Sequence, residues 1–332
     1  MGAASVNLPT IVVPGGPMLN GKFRGKDIGS GTFTWQLSEG LKAGTLTRDD
    51  LVEAESCMSR SAGHCMTMGT ASTMATMVEA LGLTLPGASA IPAVDSRKKV
   101  MAHLTGNRIV EMAKEGLKMS DILTREAFEN AMSLDIAMGG STNTVLHILA
   151  IAHEAGVDFT MQDIDALSRK VPCLCKVSPS SSYHVEDVNR AGGILGIMGE
   201  LDRLGLLDIS VRRADGLSLA DALAAFDIMR SSASPAAYNL YASAPACAGR
   251  NLELASQGTM YEALDNDREK GCIRNGAHCH SQDGGLAVLY GNLAENGCIV
   301  SGRDEPLWNM QWAEQAKTAK FCYYFPRRFG VG

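Results

Sequence analysis

The residues best suited to chemistry lie in Ser59–Ala75, SRSAGHCMTMGTASTMA. Cys65 follows Gly63, stands just before an expected helix, and is surrounded by the small residues Gly69, Thr70, Ala71 and Ser72. A thiol at a helix N-terminus feels the positive end of the macrodipole and loses its proton more readily. Small neighbours leave room for a bulky group to approach the backbone. The same pattern also fits a buried structural cysteine. Cys57, eight residues earlier, is not at a standard chelate spacing. The second stretch is Met138–Thr144, MGGSTNT. Two glycines followed by Ser141, Thr142 and Asn143 at a helix start make a natural site for a carboxylate or phosphate, because free N–H groups and the dipole both favour an anion. A capped core helix after a tight turn would read the same. His147, one turn further on, fits a core histidine.

Three weaker patterns accompany these. Cys272, His278, Cys279 and His280 are a local zinc-like cluster without paired C-x₂₋₄-C or H-x₃₋₅-H steps. Cys173 and Cys175 would lie on one side of a strand. Gly15-Gly16 lacks the G-x-G-x-x-G spacing of a dinucleotide site. The absence of G-x-x-x-x-G-K-[ST], H-E-x-x-H and G-x-S-x-G removes the usual support for nucleotide hydrolases, zincins and esterases.

The elements that must position these residues read as mostly helical α/β to about residue 240, then the start of a β-rich unit. Thr10–Pro14 reads as a buried strand ending in a turn. Met18–Gly44 reads as a long loop with a helical patch. Thr47, followed by Asp49, Asp50 and Glu53, reads as a capped helix start. A helix over Met66–Leu81 places Ala71, Met74, Ala75, Val78 and Leu81 on its inner face and stops at Gly82. Asp95–Glu115 repeats the pattern with Val100, Leu104, Ile109 and Met112. Glu126–Met138 leads through Gly139-Gly140 into an apolar helix ending at Gly156. Asp158–Lys170, Glu186–Leu207 and Leu217–Met229 follow, and glycines at 193, 196 and 199 would admit another backbone. Leu286–Tyr290 and Cys298–Val300 read as strands.

The chain has 332 residues, a net charge of −6 and 45% hydrophobic residues. That balance suits a globular protein of roughly two domains and gives no basis for nucleic-acid or membrane-surface binding. No apolar run reaches the ~18 residues of a membrane span. Nine cysteines without a secretory signal suit reduced thiols in the cytoplasm. Aromatic residues crowd the end, with Trp308, Trp312, Phe321, Tyr323, Tyr324, Phe325 and Phe329. That change in composition marks a boundary near Ser301.

Six long segments, IVVPGGPMLNGKFRG, SRSAGHCMTMGTASTMATMVEALGL, AFENAMSLDIAMGGSTNTVLHILA, DIDALSRKVPCLCKV, YHVEDVNRAGGILGIMGELDRLGLL and DGGLAVLYGNLAENGCIV, resemble the family of dihydroxy-acid, phosphogluconate and sugar-acid dehydratases. The resemblance runs from about residue 2 to 300. Ala127–Leu207 is most similar to the dihydroxy-acid dehydratase of valine and isoleucine synthesis. Gly29–Thr32 and Ser59–Ala75 are closer to arabinonate- or xylonate-type enzymes. The resemblance implies a three-layer α/β/α N-terminal domain, incomplete at its start, over residues 1–240. It implies the start of a β-barrel-like domain over 241–300 and a non-family, frame-shifted tail over 301–332.

The chemistry so implied is removal of water from a 2,3-dihydroxy carboxylic acid to give a 2-keto acid. An iron–sulfur cluster (2Fe–2S or 4Fe–4S) would act on the leaving hydroxyl, magnesium would hold the carboxylate and 2-hydroxyl, and a serine would be the base. Cys65 falls where the family's last cluster cysteine lies. Ser141, Thr142 and Asn143 match its GG-S-T-N segment, and the physics of a helix N-terminus makes them the expected contact for the substrate carboxylate. The resemblance also implies a cytoplasmic homodimer. The family's N-C-D-K-x-x-P-G and D-G-R-F-S-G motifs, which carry another cluster cysteine, magnesium ligands and the serine, do not occur in this sequence. The expectation is a truncated chain, inactive alone, with a sugar-acid dehydratase or a catalytically silent remnant that at most pairs with an intact subunit as the alternatives.

Overall fold

The computed structural model describes residues 1–29, 33–243, 263–292 and 294–301. The tail assigned to 301–332 lies, beyond Ser301, outside the described residues, as do 244–262 of the expected β-rich unit. A short helix, α1 (Gly2–Val6), precedes a hairpin of β1 (Gly21–Phe23) and β2 (Lys26–Ile28), then α2 (Phe33–Lys42) and α3 (Arg48–Met58). The middle of the chain holds α4 (Thr70–Ala80), α5 (Ser96–Glu115), α6 (Met119–Ile122), α7 (Arg125–Met138), α8 (Thr142–Ala155) and α9 (Met161–Ser168). α10 (Val185–Arg190), α11 (Gly193–Arg203), α12 (Leu219–Phe226) and α13 (Pro235–Ala242) follow, and the hairpin of β3 (Leu286–Gly291) and β4 (Ala294–Ser301) comes last.

The fold is α/β, with helices dominant. Among the described residues the strands form only two antiparallel pairs, β1–β2 and β3–β4. The main core is instead organised by helices that are buried on every side over much of their length. Every residue of α7 from Asn130 to Met138 is buried, and so is α11 from Gly193 to Leu201. Both pack against α4 and against each other. Local signals set most helix ends. Thr47 and Asp50 form a reciprocal capping box on α3, and left-handed Gly139 and Gly156 close α7 and α8.

Several expectations are corrected. Thr10–Pro14 is not a strand; it is tied down by the Val12 N–H donating to the Leu83 carbonyl, 2.8 Å, and by the Lys98 ammonium donating to the Pro14 carbonyl, 3.1 Å. Residues 186–207 are two helices, broken at Ala191-Gly192. Glycines 193 and 199 make room for side chains instead of a backbone. A Cβ on Gly193 would lie 2.8 Å from the Tyr241 ring, and one on Gly199 would overlap the Asp227 carboxylate. On α4 the buried residues are Ser72, Thr73, Thr76, Met77, Glu79 and Ala80. On α5 they are Lys98, Thr105, Arg108 and Met112, while Val100 and Leu104 are exposed. The charged residues turn inward because fixed partners await them. The Glu79 carboxylate accepts the N–H groups of Gly87 (2.7 Å) and Ser89 (3.0 Å), and the Arg108 guanidinium donates to the Ala214 carbonyl (2.7 Å).

Residues 263–285 are stitched into this helical body. Single bridges pair Cys173 with Ser281 and Cys175 with Ile273. The buried Arg268 guanidinium donates to Glu200 (3.0 Å) and to the Ala191 carbonyl (3.0 Å).

Candidate active site

The segment bearing Cys65 is a strap held from both sides. Gly63 has φ +135°, and a Cβ there would lie 2.5 Å from the Met18 nitrogen, so only glycine permits the approach. The strap then pairs in parallel with Gly16–Met18: His64 N–H donates to the Gly16 carbonyl (3.0 Å) and Met18 N–H to the His64 carbonyl (2.8 Å). On the other side Val185 N–H donates to the Met66 carbonyl (3.1 Å) and Met68 N–H to the Ser178 carbonyl (2.8 Å). Cys65 is half-buried and not disulfide-bonded, with its Sγ 2.9 Å from Thr67 Oγ1. Its carbonyl accepts the Ser72 hydroxyl at 2.8 Å and faces His64 Nδ1 at 3.0 Å. Burial pushes the His64 imidazole below its ordinary 6.5, against the opposing effect of the Cys65 carbonyl. The helix expected from Met66 begins at Thr70, with Gly69 as its cap. Cys65 therefore precedes the helix by more than a turn and does not open it.

The Ser141–Asn143 segment is built by the turn after α7. Gly140 cannot carry a side chain: a Cβ would overlap the Asp135 carboxylate and approach Thr73 Cγ2 to 2.6 Å. Ser141 then caps α8, its Oγ accepting the Asn143 N–H at 3.3 Å. Its own N–H donates to Thr73 Oγ1 at 3.1 Å, and the Thr73 hydroxyl donates to the Gly69 carbonyl at 2.9 Å. Thr70 Oγ1 lies 2.9 Å from Ser141 Oγ and accepts the Asn143 side-chain amide at 2.9 Å. The first turns of α4 and α8 are thus tied together by four side chains. Thr142 is half-buried and makes no side-chain hydrogen bond among the described residues, and His147 lies half-buried one turn further along. Behind this turn, Gly285 N–H donates to the Ile136 carbonyl at 2.8 Å, and its Cα rests on Gly139.

The zinc-like cluster does not assemble. Cys272 turns inward to face Cys175, with the sulfurs 4.0 Å apart. Contact with Cys175 and burial both push the Cys272 thiol well up, and burial pushes Cys173 up to about 12, so both stay protonated. His278 Nδ1 meets Asn275 Oδ1 at 2.9 Å, and Cys279 Sγ accepts from Gln282 at 3.2 Å. Among the described residues no three His, Cys, Asp or Glu side chains form a set able to hold a metal ion.

A family model described as Dihydroxy-acid/6-phosphogluconate dehydratase N-terminal matches residues 1–222. The chain belongs to this family. The match encloses both the Cys65 strap and the Ser141–Asn143 turn, so the two stretches joined through Thr70 lie within the dehydratase N-terminal region. An iron–sulfur cluster in such a dehydratase needs several thiolate ligands. Cys65 brings one, and the described residues offer no carboxylate set for a magnesium ion either. These residues alone therefore do not fit either group.

Thr70 and Thr73 are the site residues that the motif reading passed over, taking Thr70 only as a small neighbour of Cys65. A signal was present: two threonines at i and i+3 put both hydroxyls on one face of a helix's first turn. Their partner, the Ser141 turn, is about seventy residues away in sequence.

Proposed function

We propose that the chain carries part of the active site of a hydro-lyase that converts 2,3-dihydroxy carboxylic acids to 2-keto acids, namely the dihydroxy-acid dehydratase of branched-chain amino-acid synthesis. The observation that carries this reading is the knot of Thr70, Ser141 and Asn143 where two helix N-termini meet. Converging N-termini favour a carboxylate, and the nearby hydroxyls and amide supply short-range donors. In this reading Ser141, Thr142 and Asn143 bind and orient the substrate carboxylate. Cys65 is one ligand of a 2Fe–2S or 4Fe–4S cluster, with its other ligands, the magnesium ligands and the serine base supplied by other residues. The enzyme is a cytoplasmic homodimer, with a three-layer α/β/α domain followed by a β-barrel-like one. No described helix is long and apolar enough to cross a membrane. A sugar-acid dehydratase is the second reading, supported by the similarity of Ser59–Ala75 to arabinonate- and xylonate-type enzymes.

The test extends the chain with a relative's N-C-D-K and D-G-R-F-S-G segments and assays it anaerobically. Keto-acid formation from 2,3-dihydroxyisovalerate, with little from arabinonate or xylonate, is expected; the reverse preference selects the second reading. Iron and sulfide bound by the extended chain should fall when it carries Cys65→Ser. Unchanged iron content in that variant removes the ligand assignment.

A further inference from the structure

We infer that Thr70 is the positioning residue of the carboxylate site, fixing Ser141 and Asn143 in the orientations from which they bind. This rests on the carboxylate reading above and adds to it a residue outside the GG-S-T-N segment.

Thr70 Oγ1 accepts one hydrogen from the Asn143 amide, and it shares a single hydrogen bond with Ser141 Oγ. Ser141 Oγ already accepts the Asn143 N–H. Thr70 and Ser141 together own two hydroxyl protons, and the bond between them uses one. The second O–H stays available on whichever residue accepts in that bond. A carboxylate arriving here therefore meets one free hydroxyl donor, and reversing the shared bond moves that donor from one helix to the other without moving an atom heavier than hydrogen.

The same bonds hold Asn143. Asn143 is exposed at the first turn of α8, and the described bond of its side-chain amide runs to Thr70. Without that acceptor the amide would be free to turn through its rotamers in water. Gly69 caps α4 with no side chain, so the first-turn N–H groups of that helix are not occupied by a cap. Thr70 is thus placed to couple the two N-termini: it begins one helix and orients the first side chains of the other. Only the hydroxyl is required for this, which makes serine an adequate replacement and valine an inadequate one.

The test uses the full chain and two readouts. The first needs no ligand: hydrogen exchange of the Asn143 side-chain amide, followed by NMR. Thr70→Val should speed this exchange at least tenfold, and Thr70→Ser should leave it within about twofold of wild type. The second is calorimetric binding of 2,3-dihydroxyisovalerate. Thr70→Val and Asn143→Ala should each weaken it about tenfold, with Thr70→Ser near wild type and melting temperatures confirming that all variants fold. Weaker binding by Asn143→Ala alone, or exchange unchanged in Thr70→Val, overturns the role of Thr70 and leaves the carboxylate reading standing. Equal binding by wild type and every variant, or no binding by wild type, overturns both.

Discussion

Replacing Gly285 by alanine tests whether the late segment of the chain shapes the Ser141 turn. Gly285 has no positive φ, so alanine suits its backbone and only the surroundings oppose it. The new Cβ would overlap Gly139 Cα and lie 2.6 Å from the Gly139 nitrogen and 3.0 Å from the Ile136 carbonyl oxygen. All three atoms are backbone, and Gly139 is held in the left-handed cap of α7. Relief therefore requires the segment to withdraw or the turn to shift. Overpacking of this kind costs about 1–3 kcal/mol. Unfolding entropy of about 2.1 cal/mol/K per residue gives roughly 0.7 kcal/mol/K for a chain of 332 residues, so Tm should fall by about 1–4 °C. Scanning calorimetry measures it. Gly106→Ala is the control: it sits inside α5, where a Cβ meets nothing within 4 Å. There the same change should stabilise by about 0.5–1 kcal/mol, because alanine loses less conformational freedom in a helix. A Gly285→Ala protein that melts with or above the wild type would refute the contact argument.

Two further outcomes follow from the buried charges. Arg268→Met should destabilise by about 2–3 kcal/mol, below the 3–5 typical of a broken buried pair, because Glu200 keeps Arg203 at 2.8 Å; faster proteolysis within residues 263–301 is the expected accompaniment, and unchanged proteolysis would disconnect that segment from the helical body. Acid should also weaken the fold. Burial holds His64, His184 and His280 below their ordinary 6.5, His280 at about 4. Unfolded imidazoles take up protons as pH drops through 6.5 while the folded ones remain neutral, so the unfolded state binds more protons and stability is lost towards pH 4. Asp187, pushed above 3.8 by burial, acts in the opposite sense at the acid end and only partly offsets this. Melting temperatures from pH 7.5 to 4.5 should decline, and a flat profile over pH 6.5–5 would contradict the assignment.

What could be read from sequence was what is decided locally. The Thr47–Asp50 capping box, the glycine stops at 139 and 156 and the β3–β4 hairpin all depend on neighbours in the chain. The buried faces of α4 and α5 do not. Hydropathy assigned Val100 and Leu104 to the core, but Lys98 is buried because its ammonium reaches the carbonyls of Pro14 and Ala88. Apolar periodicity cannot anticipate such distant acceptors. The same division runs through the site. Cys65 and Ser141–Asn143 stood out as short motifs, whereas their connection through Thr70 and Thr73 is tertiary. The helix-start argument for Cys65 failed because Gly69, not the cysteine, begins α4.

The site's geometry is therefore a property of the whole described fold. Gly16–Met18 and Ser178–Val185 clamp the Cys65 strap from opposite sides, and neither contact involves α4 itself. Thr73 and Gly285 brace the Ser141 turn from two directions, one inside the family match and one beyond residue 222. If the turn were shaped by α7 and α8 alone, its glycines would need only to reverse the chain. Instead, Gly140 leaves space for Asp135 and Thr73, and Gly285 for the backbone of Gly139. Such close contacts are rigid because backbone and buried carboxylate cannot move aside cheaply. A carboxylate site made from hydroxyls and an amide gains from that rigidity, since each donor already held in place reduces the ordering cost of binding. Gly285, beyond the family match, thus belongs physically to the turn that carries Ser141.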